Sequence, residues 1–135
     1  MLCAVKKRNW GSDMSHEYVI AEFGRRMGLP SLTIGRDTPV QLQIEGMGTL
    51  FIEEAGEELL LYLARDFPFH AQEVPRRALA LCRPDRTRPF PVSAGLHKDN
   101  TLIFLTRFNT KSFSLQCLEQ AVPVLARLMD AALNP

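Results

Sequence analysis

Residues 40–65, VQLQIEGMGTLFIEEAGEELLLYLAR, contain the pattern that decides the fold. In residues 40–44 apolar side chains alternate with glutamines, and this period of two is typical of a strand with one buried face. Glycines then permit tight turns into two further apolar segments, 49–53 and 58–65. The leucines of the last segment occupy both faces, as in a central strand that is covered on two sides. The stretch therefore predicts a three-stranded antiparallel meander.

Segments with the periodicity of an amphipathic helix precede and follow this meander in the sequence. Residues 15–27 repeat apolar side chains at every fourth position, and Gly28 supplies a left-handed stop. Residues 67–83 contain a shorter apolar stripe that predicts a second helix. The final segment contains a long amphipathic pattern, with Ser112 or Ser114 as its N-terminal cap. We therefore expect three helices, the last of which is the longest.

The segments 92–96 and 101–108 flank a Lys-Asp-Asn turn and predict a β-hairpin. The predicted fold class is α+β, in the order helix, three-stranded antiparallel meander, helix, β-hairpin and long C-terminal helix, arranged in two layers. Residues 1–13 share none of this periodicity. We expect them to be an N-terminal extension outside the fold, and residues 14–135 to form a single domain.

The composition is that of an ordinary folded domain. The chain has 16 Lys and Arg against 15 Asp and Glu and is 46% apolar, so net charge draws it neither to nucleic acid nor to an anionic membrane. The longest apolar run, residues 59–64, is far shorter than the roughly 20 residues of a membrane span. Three widely spaced cysteines without a C-x-x-C pair indicate neither a disulfide framework nor a zinc knuckle, so we expect a reducing cytosol.

No residue pattern for catalysis stands out. The three histidines lie in different elements and match no zinc motif, and no glycine-rich loop opens a helix as a phosphate site requires. Cys82 or Cys117 could act with a histidine as thiolate and base, but their apolar neighbours favour a role in the core. We therefore predict no catalytic residues, no metal, no cofactor and no enzymatic activity.

An arginine-rich segment, residues 76–88, supplies the main alternative. Its five arginines could neutralise several phosphates, so a small RNA-binding or regulatory module is the competing hypothesis. The segment has no interleaved aromatic residues on which bases would stack. A solvated loop, or contact with an acidic protein, is therefore favoured over nucleic acid, and we expect no nucleic-acid partner.

The predicted sheet has more apolar residues than three helices can cover. Phe51, Leu60, Tyr62, Phe104 and Phe108 add to the leucines that occupy both faces of the third strand. Some of this surface should meet another protein chain. The alternative is a fully enclosed two-layer core.

Four segments carry a resemblance to a known family. They are Gly-Thr-Leu at 48–50, LLLYLAR at 59–65, residues 92–95 and Ser-Phe-Ser-Leu at 112–115. With the element order, they are similar to the class I chaperones of bacterial type III secretion systems, and in particular to the SycN branch. This family is usually acidic, whereas the present chain is close to neutral.

The resemblance implies a bacterial cytoplasmic protein that dimerises and binds the N-terminal segment of an exported gatekeeper or effector. Its partner subunit would be a second, different small chaperone or an identical copy, and a peripheral position at the membrane-embedded secretion apparatus is left open. The family's dimer interface uses the middle helix and neighbouring strands, which corresponds here to Val74, Ala78, Leu81 and Phe90. Its cargo patches near the first helix and the meander correspond to Val19, Phe23, Leu42, Ile44, Leu50 and Ile52.

Overall fold

The computed structural model describes residues 12–28, 40–83 and 88–134, with side chains from Tyr18 onward. The elements of this part, in chain order, are α1 (Ser12–Arg26), β1 (Val40–Ile44), β2 (Gly48–Ala55), β3 (Glu58–Asp66), α2 (Glu73–Leu81), β4 (Ser93–His97), β5 (Thr101–Asn109) and α3 (Leu115–Leu133). The predicted α+β class and element order are confirmed.

The five strands form one antiparallel sheet in the order β1-β2-β3-β5-β4. β3 pairs with β5 over its full length, from Glu58 opposite Asn109 to Asp66 opposite Thr101. This pairing joins the predicted meander and the predicted hairpin into a single sheet. β3 is its central strand.

One face of the sheet packs with the helices to form the core. The largest fully buried side chains come from α1, from β2, β3 and β5, from α3 and from the connection before α3; they include Ile20, Leu50, Ile52, Leu61, Phe104, Phe113, Leu118 and Met129. Thr106 is buried among them, and its hydroxyl donates a hydrogen bond of 2.8 Å to the Pro91 carbonyl just before β4. This satisfies a polar group that would otherwise be costly to bury.

The helix ends follow the capping signals in the sequence. Gly28 adopts a φ of 83° after α1, as the left-handed stop requires. Ser114 Oγ accepts a hydrogen bond from the Cys117 amide at 3.3 Å at the start of α3. Pro75 is the third residue of α2. A backbone N–H at this position would have no acceptor within the helix, so proline is tolerated there. At the other end of α3, Arg77 Nε donates a hydrogen bond of 2.8 Å to the Ala132 carbonyl and ties α2 to α3.

The predicted division at residue 13 falls largely outside the described residues. α1 begins at Ser12, two positions before the domain boundary expected from the sequence. The extension over residues 1–13 stays a prediction. In the described ranges, no helix is both long and apolar enough to cross a membrane.

Candidate functional site

The strand register gives the sheet a second apolar face. Alternate residues point away from the helices, and directly paired positions place Phe51, Tyr62 and Leu105 side by side across β2, β3 and β5. Ala64 and Ile103 form the next row, and Leu60 lies on the other side of Tyr62. All six are half-buried, and none of them belongs to the core cluster. We call these six residues, Phe51, Leu60, Tyr62, Ala64, Ile103 and Leu105, the outer patch.

Polar residues border the outer patch. Tyr62 stacks on Phe51 with ring centroids 4.8 Å apart, and its hydroxyl donates a hydrogen bond of 2.9 Å to Glu53. At the opposite end, Thr101 Oγ1 donates a hydrogen bond of 2.6 Å to Asp66. On the β4 side the neighbours Ser93 and Gly95 are small, so the patch is open toward that edge. The polar groups of the border are thus hydrogen-bonded within the chain, and the centre is apolar.

Tyr62 gives this surface a measurable pH signature. Burial and the adjoining Glu53 carboxylate raise the pKa of Tyr62 to about 12, from an ordinary value of 10.0. The unfolded state therefore loses its phenolic proton first, so this contribution to stability is fully present below pH 10 and is lost as the pH rises toward 12. We expect Tyr62→Phe to reduce the alkaline loss in the free energy of unfolding, measured by urea titration near neutral pH and at about pH 11. An identical alkaline loss in the variant would contradict this expectation.

The residues predicted to bind cargo lie on the opposite face of the sheet. Val19, Phe23, Leu42, Leu50 and Ile52 are buried in the core, and only Ile44 keeps partial exposure. The physical reason is the register for the four strand residues, which point toward the helices, whereas Val19 and Phe23 lie on the buried side of α1. A cargo would reach them only if the core around them opened, so their role as a cargo surface stays a prediction.

The residues predicted at the dimer interface divide into two groups. Val74 and Ala78 are 2% and 1% exposed and pack inside the chain, while Leu81 and Phe90 are half-buried against the core. The outward side of α2 instead presents Leu79, which is 63% exposed. Sequence periodicity identified the buried stripe of α2 but not its role, because a core contact and a subunit contact have the same helical spacing.

The arginine-rich segment is partly engaged inside the chain. Arg77 binds the Ala132 carbonyl, and Arg88 donates to the Leu81 carbonyl near the end of α2. Arg86 lies outside the described residues. Two of the five guanidinium groups thus hold helix ends in place, which does not favour the RNA-binding alternative.

The thiol hypothesis finds no support in the geometry. Cys117 is 1% exposed. Burial raises the pKa of the Cys82 thiol above its ordinary value, and the nearby Arg88 guanidinium offsets only part of that rise. Reactive cysteines need the opposite shift. Among the described side chains, no three of His, Cys, Asp or Glu are grouped as metal ligands.

Comparison with known proteins identifies the family to which this chain belongs. A family profile described as "Type III secretory system chaperone SycN" matches residues 16–133. The chaperone protein SycN of Yersinia enterocolitica is 31% identical over 121 residues, which are 88% of this chain and 97% of that protein. The chain belongs to the SycN family. Members of this family are type III secretion chaperones, as the resemblance in the sequence implied.

Solved structures of other proteins share the fold of this chain. The Yersinia pestis chaperone SycH, solved with a stable fragment of YscM2, matches with a TM-score of 0.60 at 17% identity, over 87% of this chain and 96% of its own. The HopA1–SchA chaperone–effector complex matches with a TM-score of 0.65 at 16% identity, over 91% of this chain and 95% of the matched chain. At these identities the likeness establishes the fold. The α+β chaperone architecture is therefore confirmed.

Three members of the outer patch, Ala64, Ile103 and Leu105, were missed at the sequence level. Ile103 and Leu105 lie in β5, where apolar residues occupy both faces of the strand. Apolar residues on both faces of the strand were the available signal in β5. The same pattern in β3 drew attention to Leu60 and Tyr62. In this SycN-family chain, the two central strands β3 and β5 thus provide most of the second apolar face.

Proposed function

We propose that this chain is a subunit of a dimeric type III secretion chaperone that binds the N-terminal segment of an exported gatekeeper or effector. The partner subunit is a second small chaperone, and the dimer keeps its cargo soluble and competent for export. The match to the SycN family over residues 16–133 carries this proposal. The bacterial cytoplasm is the compartment where such a subunit meets cargo before export.

Binding without catalysis is sufficient for this role. Ordering an extended segment costs about 1–2 kcal/mol per residue, and apolar contacts with a preformed surface offset that cost. No ATP hydrolysis and no covalent step enter the proposed mechanism. The secretion apparatus must then release the cargo from the chaperone, either by competing for it or by pulling it away.

A secretion assay tests the proposed function. In the bacterium that encodes this chain, deleting its gene should lower the cellular level and the export of one secreted protein, while other exported proteins are unaffected. A plasmid copy of the gene should restore both. Normal levels and export of every secreted protein after deletion would contradict the proposal.

The exposed side of α2 is the proposed subunit contact. Leu79 is 63% exposed there, and a charge at this position leaves the core of the single chain intact. We expect Leu79→Asp to convert the dimer to single subunits, because the aspartate would be desolvated in the interface without a partner. Light scattering behind a sizing column measures the mass.

Tyr18→Asp is the matched control for this substitution. Tyr18 is 65% exposed on α1, so the control adds the same charge at an equally exposed apolar residue of another helix. Its mass should equal that of the parent dimer. A Leu79→Asp protein that also keeps the mass of two subunits would place the interface elsewhere.

A further inference from the structure

The outward side of α2 presents two arginines in one row. Arg76 and Arg83 are both exposed, and their separation in the sequence corresponds to about two helical turns, so they lie on the same side of the helix. Arg83 follows the end of α2, and its amide donates a hydrogen bond of 3.4 Å to the Ala80 carbonyl, which continues the turn. Leu79 and Ala80 lie between the two arginines. We call Arg76, Leu79, Ala80 and Arg83 the arginine row.

Arg76 differs from the arginines that the fold itself uses. Arg77 and Arg88 each donate a hydrogen bond to a backbone carbonyl and so hold helix ends in place. Arg76 forms no hydrogen bond or ion pair with any residue that the structure describes. Its guanidinium group is therefore available to a partner protein.

The apolar part of this face is small. Leu79 is the one large apolar side chain of the row, and Leu96 is exposed in β4, the strand beside α2. A stable contact between two folded subunits needs about 800 Å² from each, and these leucines supply part of it. Apolar surface adds affinity for any apolar partner, whereas opposed charges distinguish one partner from another. The arginines are therefore the residues that decide which subunit fits.

A second copy of this chain would present the same arginines. Two identical subunits are related by a two-fold axis, so each position of one α2 faces a fixed position of the other. An antiparallel crossing centred between Leu79 and Ala80 packs the large side chain against the small one on both sides of the axis. The same crossing places Arg76 of each copy opposite Arg83 of the other. Like charges in these two contacts disfavour self-pairing.

A partner helix with carboxylates at the matching positions removes this conflict. A guanidinium group keeps its charge when it is desolvated and binds a carboxylate through two parallel hydrogen bonds. The two arginines lie about 10 Å apart along the helix axis, so carboxylates about two turns apart on the partner helix would match them. The one carboxylate of α2 itself, Glu73, lies in the first turn and outside the row. Charge complementarity thus favours an acidic partner.

We infer that the arginine row selects an acidic second chaperone as the partner subunit and rejects a second copy of this chain. This inference rests on the proposed chaperone function. It makes Arg76 and Arg83 the residues that determine partner choice, while Leu79 supplies apolar contact between them.

The test is a set of three variants that separates local charge from net charge. Arg76→Glu reverses the charge within the row, and Arg76→Lys keeps it. Arg127→Glu is the matched control, because it makes the same reversal at an exposed position of α3 outside the row. The probe is the purified second small chaperone encoded with the same secretion system. Titration calorimetry measures its affinity for each variant.

We expect Arg76→Glu to weaken pairing with the second chaperone by roughly 30-fold or more, because an opposite-charge contact becomes a like-charge contact. Arg76→Lys should lose less than about tenfold, since it keeps the charge and loses only the paired hydrogen bonds. Arg127→Glu should pair as the parent does. Unweakened pairing by Arg76→Glu, or equal weakening by Arg127→Glu, would overturn the inference while leaving the chaperone function in place. A parent chain that pairs neither with the second chaperone nor with itself would contradict the proposed function.

Self-association of the chain alone gives an independent result. The parent should have the mass of a single chain, measured by sedimentation equilibrium. Arg76→Glu should associate with itself at least about tenfold more tightly, because each new glutamate faces Arg83 of the other copy. A parent that forms a tight pair of identical chains, or an Arg76→Glu protein with no gain in self-association, would overturn the inference.

Discussion

Phe104→Ala lowers the free energy of unfolding by about 3–5 kcal/mol, the loss expected when a large aromatic side chain is removed from a packed core. Phe104 is completely buried in β5 on the helix-covered face. Since domains of this kind are stable by about 5–15 kcal/mol, much of the total is lost. Urea denaturation followed by circular dichroism measures the change.

Phe51→Ala is the control for this prediction, because it removes the same side chain from the other face of the sheet. Phe51 is half-buried and stacks on Tyr62. Its removal forfeits that aromatic contact and part of the transfer free energy, so we expect a loss of only about 1–2 kcal/mol. Equal losses for the two phenylalanines would mean that both faces are covered in the free chain, and would remove the basis for the outer patch.

Gly48→Ala is the second change with a large expected effect. Gly48 adopts a φ of 122° at the start of β2, and an added Cβ would lie 2.4 Å from the carbonyl oxygen of Ala64. That oxygen belongs to the backbone of β3, so it cannot move without disturbing the pairing of the two strands. Strain and steric overlap together should lower the free energy of unfolding by about 3 kcal/mol.

Gly95→Ala is the matched control in the same sheet. Gly95 lies in the edge strand β4, and no atom lies within 4 Å of the Cβ that alanine would add. Its φ is not in the left-handed range, so we expect a change within about 0.5 kcal/mol. In thermal and urea denaturation, Gly48→Ala should therefore be clearly less stable than Gly95→Ala. Similar stability in both would contradict the close approach of β2 to β3.

The element order could be predicted because its signals are local. The alternation in residues 40–44, the glycine stop at Gly28 and the serine cap at Ser114 act within a few residues of themselves. Each kept its predicted role in the structure. The pairing of β3 with β5 depends instead on contacts between distant segments, and nothing in either strand alone specifies it.

The candidate surface was harder to predict, because an apolar side chain does not reveal what it faces. Leu50 and Phe51 are neighbours in β2, yet one is fully buried in the core and the other lies in the outer patch. Family resemblance directed attention to residues such as Leu50 that the chain itself covers. Only the register of the complete sheet shows which of its two faces each residue occupies.

The most direct measurement is the absolute mass of the chain co-expressed with a small partner chaperone and the N-terminal segment of the secreted gatekeeper. Light scattering behind a sizing column should find one complex with the summed mass of a chaperone dimer and one bound segment. The segment should be protected from added protease in that complex and degraded without it. A chain that elutes alone with the mass of a single subunit, and leaves the segment unprotected, would contradict its role as a secretion chaperone.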